Sequence, residues 1–419
     1  MINLDSFALK NISRGEPAWL SAERNEAFAI FERLPMPSSK EELWRYVNID
    51  FDIGDYLLPV EPGCVEVSPL EGAATLDVVD GLAIGSGTRN PDFTLIPLAL
   101  DRTEDRNDST RYSSPGSGHD KFSAAHRAFG TDGASIRVPE GRVVREPLVV
   151  RVQSTLPGSI SFPRVMIDIG PSAQASVVIR LSSPDLLETV VVPEIDVMLG
   201  PAANLDLTVN QVWGDTTTSL GRTRIEADRD ANITFAEVGL GGALSRLYLA
   251  VDLLGVGSSA KIVGAYFGDE KQVLDYRYFM RHARENTTSE MFLKGAVDDE
   301  ALSIFTGMIR IEEEAQRTNA FQTNRNLLLS DQASAQSVPN LEILANDVKC
   351  GHGSTVGPLD AEQRYYLMSR GLDRDRADQL QLKGFFEDAL SRFPVSTELD
   401  SVRERVHAKY ERTQSADRV

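Results

Sequence analysis

The feature that most narrows what this chain can fold into is a repeat. VMIDIGPSAQASVVI (165–179), EIDVMLGPAANLDLTV (194–209), RTRIEADRDANITFAEV (222–238) and LAVDLLGVGSSAKIVGAY (249–266) share one plan. Each has an alternating strand, a tight Gly, Pro or Asp turn, a small residue and a second alternating strand. Ala175, Ala203, Ala231 and Ala260 recur at spacings of 28, 28 and 29 residues. A fixed period of that size, with strands and no helices between them, is a solenoid pattern. Stacked coils bury a continuous core and need small residues where the chain turns inside the stack. The expectation is a mainly β chain built on a β-helix. A barrel or sandwich competes, but neither requires constant coil length.

Outside the repeat the hydrophobic period changes. Leu20, Ala27, Phe28, Phe31 and Leu34 follow Pro17 at helical spacings, and Ser39 is placed to cap a short second helix through Trp44 and Tyr46. Those aromatics read as packing residues. Residues 101–120 are charged, Ser/Gly-rich and aperiodic, which predicts a flexible surface loop with His119 and His126 solvated at its end. Past Gly357, Asp360 with Gln363 predicts a capped helix that stops at Gly371, and Asp373 opens another. Ala377, Leu380, Phe385, Phe386, Ala389, Leu390 and Phe393 make its apolar stripe. Leu399, Val402, Val406 and Tyr410 define a third helix. The expected organisation is a helical region over 1–60, a β-helix over 61–355 and a helical domain over 356–419. Three short helices hardly form a core alone, so they should dock on the β-helix or on a partner.

The chemistry concentrates in LEILANDVKCGHGSTVG (341–357), which holds one of two cysteines and one of five histidines. Alternation at Leu341, Ile343 and Ala345 reads as a strand. If it continues, Cys350 and His352 share a face, with side chains roughly 6.5–7 Å apart. That suits two ligands of one metal or small cluster, and Gly351 and Gly353 clear space for an approaching group. Lys349 would favour the thiolate of Cys350. A small buried thiol and a hydrogen-bonded imidazole are the other reading. Two ligands do not close a zinc or iron–sulfur site, no CxxC occurs, and Cys64 is far away in sequence. If the pair binds metal, a second protein completes the site.

These residues carry a resemblance. DVKCGHGSTVGPLD (347–360), preceded by TNAFQTNRNLLLS (318–330) and followed by YYLMSRGL (365–372), resembles the C-terminal signature of the SufB/SufD family, scaffold proteins of iron–sulfur cluster assembly. GEPAWL (15–20), ELWRY (42–46) and GASIRVPEG (133–141) extend the likeness over most of the chain. The residues are closer to SufD members: SufB members carry a QCDS-like cysteine where this chain reads QTNR (322–325), and His-Glu-Ala near its Cys-Gly-His-Gly.

The resemblance implies a right-handed parallel β-helix. It also implies pairing with a SufB-like subunit through sheet edges near 307–350, and a transient Fe–S cluster shared by His352, and less surely Cys350, with that partner. It places a SufC-like ABC-type ATPase, which binds the ATP, on the C-terminal helices, where Tyr366, Leu367, Phe385 and Phe386 are the contact candidates. A reduced flavin is linked to the family, with no pattern here to place it. His282 takes a structural role, and Asn324 with Asn326 is expected to form an inward polar ladder.

Other classes are less well served. A net charge of −19 opposes nucleic-acid and anionic-membrane binding. No P-loop, H-E-x-x-H, G-x-S-x-G or Rossmann pattern appears, so the expectation is a scaffold and not an enzyme. No apolar run spans a bilayer, no basic, apolar signal peptide opens the chain, and two distant cysteines fit a reducing compartment. Cytoplasm is the expected location. A carbohydrate-active β-helix enzyme would need clustered carboxylates with aromatic subsites, but the acids are scattered and aromatics are 7% of the chain. A purely structural subunit with Cys350 and His352 inert is the third reading. A homodimer through the partner's edge is an outcome that reading leaves open.

Overall fold

The computed structural model describes residues 1–65, 72–104, 120–395 and 399–416. The chain is 43% strand and 21% helix, a β-solenoid of about eight turns flanked by helices. Among the described residues its strands form a ten-stranded and a twelve-stranded sheet, and successive strands of the repeat alternate between them. In the first sheet Gln174–Ser182, Asn204–Val212, Asn232–Gly239, Ser259–Gly268, Thr288–Val297, Thr318–Leu328 and Val348–Pro358 stack in parallel.

The register corrects the simple repeat. Ala175 pairs with Leu205 and not with Ala203, and coil length drifts between 27 and 31 residues. The small residues therefore belong to two inward columns. Ala173, Ala203 and Ala231 sit at the corner, each fully buried. Ala175, Leu205, Ile233, Ala260, Ser289, Ala320 and Cys350 follow one step inside. Corner turns hold Ser172, Ala202 and Asp230 at φ of 55°, 58° and 57°, the left-handed conformation that reverses the chain in one residue.

The N-terminal helices α1 (Ser6–Ile12) and α2 (Ala18–Arg33) precede the sheets. The expected second helix shrinks to one 3₁₀ turn, Glu42–Trp44. Trp44 is buried as expected, with the Arg246 guanidinium 4.1 Å from its ring, but Tyr46 is exposed at φ 72°. The predicted loop over 101–120 begins inside α3 (Leu98–Glu104), and residues 105–119, His119 among them, lie outside the described residues. His126 is not solvated. It is buried on α4 (Lys121–Phe129), 3.4 Å from Glu194, because that helix packs on α2.

At the other end come α5 (Ala361–Ser369), α6 (Arg374–Leu390) and α7 (Leu399–Ala416). Asp360 and Asp373 cap the first two with side-chain acceptors, and Gly371 stops α5 at φ 93°. Val402, Val406 and Tyr410 bury with Leu382, Phe386 and Ala389 against the solenoid's outer face. In the α6 stripe Leu382 takes the buried place expected for Leu380, which is exposed. Among the described residues no helix is long and apolar enough to cross a membrane.

Candidate functional site

The sequence places Cys350 and His352 on the last strand, Val348–Pro358. The strand read from the alternation at Leu341 does not run into the motif. It is Ser334–Ile343, the last strand of the other sheet, and the chain turns over 344–347 before the motif begins. Both residues lie in inward columns. Cys350 pairs with buried Ala320, and His352 pairs with buried Gln322. In every earlier coil shown by this register those columns are covered by the next coil. Here none follows, since both sheets end at these two strands.

The two candidates therefore differ. Cys350 is half-buried and packs against the edge of the core. Burial pushes its thiol up, partly opposed by a backbone hydrogen bond at Gly351, so the expected activation by Lys349 is not what governs it. His352 is exposed. A Cβ on Gly351 would meet the Phe321 ring at 3.0 Å, while the space at Gly353 is open. Ser354 Oγ donates to Ser337 Oγ at 2.7 Å and ties the last two strands together. Phe321, Ile343, Leu344 and Val356 are exposed around this end. Among the described residues no three His, Cys, Asp or Glu side chains gather to hold a metal.

Beneath the open end lies a closed polar cluster. Tyr266 Oη donates to Asn326 Oδ1 (2.7 Å), Asn326 Nδ2 to Asn324 Oδ1 (2.6 Å), and Asn324 Nδ2 to Tyr266 Oη (3.1 Å). The asparagines point inward as expected, but a tyrosine joins them in a triangle and no stacked ladder forms. One step deeper, Tyr278 Oη donates to Glu237. Burial raises that carboxyl to about 8, against the lowering effect of the hydrogen bond. Sequence reading missed this acid; its only signal was a Glu at an apolar column position. His282 is buried, hydrogen-bonded through Nδ1 to Thr287 Oγ1 (2.8 Å) and through Nε2 to Ser289 Oγ (2.9 Å). Its desolvation lowers its pKa to about 4. Its partners sit at the turn and next strand of its own coil.

The C-terminal candidates separate as well. Tyr366 is exposed, Leu367 and Phe385 are half-buried, and Leu367 and Phe385 line a groove of about 450 Å³ with Leu327 and Leu380. Phe386 does not join them. It is 2% exposed and stacks on Phe267 at 6.2 Å, anchoring α6 to the solenoid.

Residues 151–385 match the family model described as SUF system FeS cluster assembly, SufBD core domain. The chain belongs to the SufBD family. A SufBD family iron–sulfur cluster assembly protein of Mycobacterium tuberculosis is 28% identical over 402 residues, covering 94% of this chain and 93% of the relative. SufD of Bacillus subtilis is 27% identical over 444 residues, covering 96% and 98%. SufD of Escherichia coli is 36% identical over 146 residues, about a third of each chain (35% and 34%). This SufBD protein is thus SufD-like, an iron–sulfur cluster assembly protein in which the motif at the open coil falls inside the family core.

Proposed function

We propose that this SufD-like protein is a non-enzymatic scaffold subunit whose open solenoid end is completed by a SufB-like subunit. The observation that carries this is the last coil itself. Two long strands leave their outer edges unpaired, and Cys350 and His352 fill columns that have no next coil among the described residues. Unpaired sheet edges are templates for another strand, and two donors need further ligands to hold a cluster. His352, with Cys350 as a lesser donor, contributes this chain's side of a transient Fe–S cluster that is cargo and not a resident cofactor.

The groove around Leu367 and Phe385, with Tyr366 beside it, receives a SufC-like ABC-type ATPase that binds the ATP. Nucleotide-dependent preference of that ATPase for one arrangement shifts the population of open and closed interfaces. The complex works in the cytoplasm, and no residue here places a flavin.

The test is to co-express the chain with SufB-like and SufC-like proteins and measure iron and acid-labile sulfide per complex. His352→Ala should lower cluster loading at least tenfold while the complex still purifies, and Cys350→Ala should lower it less. Unchanged loading in His352→Ala would leave a subunit that pairs without ligating. Failure to pair at all, with a stable homodimer in its place, would remove the completed-site reading.

A further inference from the structure

A second concave site lies far from the motif, between the solenoid wall and α7. It is a cavity of about 590 Å³, within the size range of small-molecule sites. From α7 it receives Arg405, Lys409 and Arg412, spaced four and three apart so that one helix face turns toward it. From the wall it receives Arg180, Ser154 and Trp213. Asp185 and Asp215 are its lining acids. In a chain of net charge −19, four lining cations face two lining acids, with a third acid, Asp269, buried behind Lys409 and Arg412.

The helix side is held rigid. Lys409 Nζ lies 2.5 Å from a buried Asp269 oxygen and also donates to Gln272 Oε1 (2.6 Å), and Arg412 reaches Asp269 at 2.7 Å and Asp215 at 3.5 Å. The wall side is left with unused donors. Arg151, one coil below Arg180 in register, makes a two-pronged pair with Asp77 at 2.6 Å. Arg180 has no hydrogen-bond or ion-pair partner among the described residues. The Trp213 indole N–H and the Ser154 hydroxyl are buried without partners, on residues 3% and 1% exposed. Such groups are normally satisfied in a folded protein. The unpartnered Arg180 guanidinium opposite a cationic helix face suits an acceptor rich in charged oxygen. Arginine's planar fork fits phosphate in particular.

We infer that this cavity binds the phosphoryl group of a small phosphorylated molecule, bridging the solenoid wall and α7. The probes are inorganic pyrophosphate and AMP, titrated calorimetrically into the full chain at matched ionic strength with sodium chloride as reference. Cys64, exposed on the cavity lining, gives a local readout. Bound probe should slow its alkylation at least threefold and leave Cys350 unaffected. Arg180→Gln should weaken binding at least tenfold and Arg180→Lys should recover part of it, with the ligand-free melting midpoint unchanged in both. Arg405→Gln should weaken it about threefold. Tighter binding of AMP identifies a phosphate ester as the ligand, and tighter binding of pyrophosphate a free oxyanion. Binding no tighter than the chloride reference, or binding untouched by Arg180→Gln with Cys64 unprotected, overturns the assignment. Should Arg180→Gln melt early, wild-type Cys64 protection decides alone.

Discussion

The two ends of the solenoid are finished in opposite ways. At its start the sheets stop at short antiparallel strands, Leu82–Ile84 with three residues and Thr88–Arg89 with two. At its finish they stop at parallel strands of ten and eleven residues, Ser334–Ile343 and Val348–Pro358. Short edge strands are a common way to prevent edge-to-edge pairing, whereas long flat ones invite it. The column positions stay the same along the stack, but what covers them does not. Gln322 is enclosed and His352, its successor in the column, is exposed. The imidazole of His352 therefore becomes accessible because the stack of coils stops there, with no local departure from the repeat.

The largest expected effect sets closed against open packing. Phe305 is buried edge-to-face on Tyr278, with ring centres 5.8 Å apart, while Phe321 is exposed over Gly351. Phe305→Ala should cost about 3–5 kcal/mol in denaturant unfolding, as expected for a buried aromatic. Phe321→Ala should cost less than about 1 kcal/mol. Equal losses would mean that Phe321, on the outward face of its strand, is packed as tightly as the inward rings.

A pH series sharpens the same contrast from inside. Glu237 has an ordinary value of 4.5 and is raised to about 8 by burial. Below pH 4.5 both the folded and the unfolded chain carry this proton, so the group is neutral to stability. Between 4.5 and 8 only the folded chain carries it, so stability falls as pH rises, by up to about 1.4 kcal/mol per unit. Glu237→Gln keeps an acceptor for Tyr278 and should flatten that slope between pH 6.5 and 8. A slope that persists in the variant assigns it to other groups. His282, lowered to about 4, acts with the opposite sign between about 4 and 6.5, so the two oppose each other from 4.5 to 6.5 and the Glu237 slope stands clear of His282 only above pH 6.5.

Much of this contrast was legible in the sequence, and the gaps have physical causes. Alternating strands and small turn residues disclosed a solenoid, because stacking demands both. They did not disclose register: alanines at near-constant spacing belong to two columns, since turns absorb one or two residues without moving the strands. Cys350 and His352 were legible as a same-face pair because a strand has period two. Their uncovered position depends on the missing next coil, which no local pattern reports. Tyr46, His126 and Phe386 were misplaced for a common reason. Aromatic and histidine side chains are read from their own segment, yet α2, the solenoid face and a left-handed backbone angle decide their burial. The Arg405, Lys409 and Arg412 stripe is visible at helical spacing, but the wall opposite it is more than 190 positions away in sequence.

An intermediate effect concerns the edge alone. Val356→Lys places a charge on the exposed last strand, a substitution of the kind that edge strands use against pairing. Affinity for the proposed SufB-like subunit, measured by biolayer interferometry, should fall at least tenfold, with the melting midpoint of the isolated chain within about 2 °C of wild type. Loss of stability without loss of affinity would relocate the interface away from this strand.

The smallest expected effect is on the imidazole itself. His352 and Gln322 are successive members of one column. Gln322 donates through Nε2 to the Asn340 carbonyl at 3.3 Å and is buried, so Gln322→Ala should cost about 1–3 kcal/mol. His352 is exposed, so His352→Ala in the isolated chain should stay within about 0.5 kcal/mol of wild type. Its consequence should appear only when the partner supplies the rest of the pocket, as lost cluster loading. A destabilisation matching that of Gln322→Ala would mean that the ring is held by its own coil even without a partner. In that case any loss of loading in the complex would follow from a weakened last coil, and the histidine's position at the stack's end would carry no ligand role.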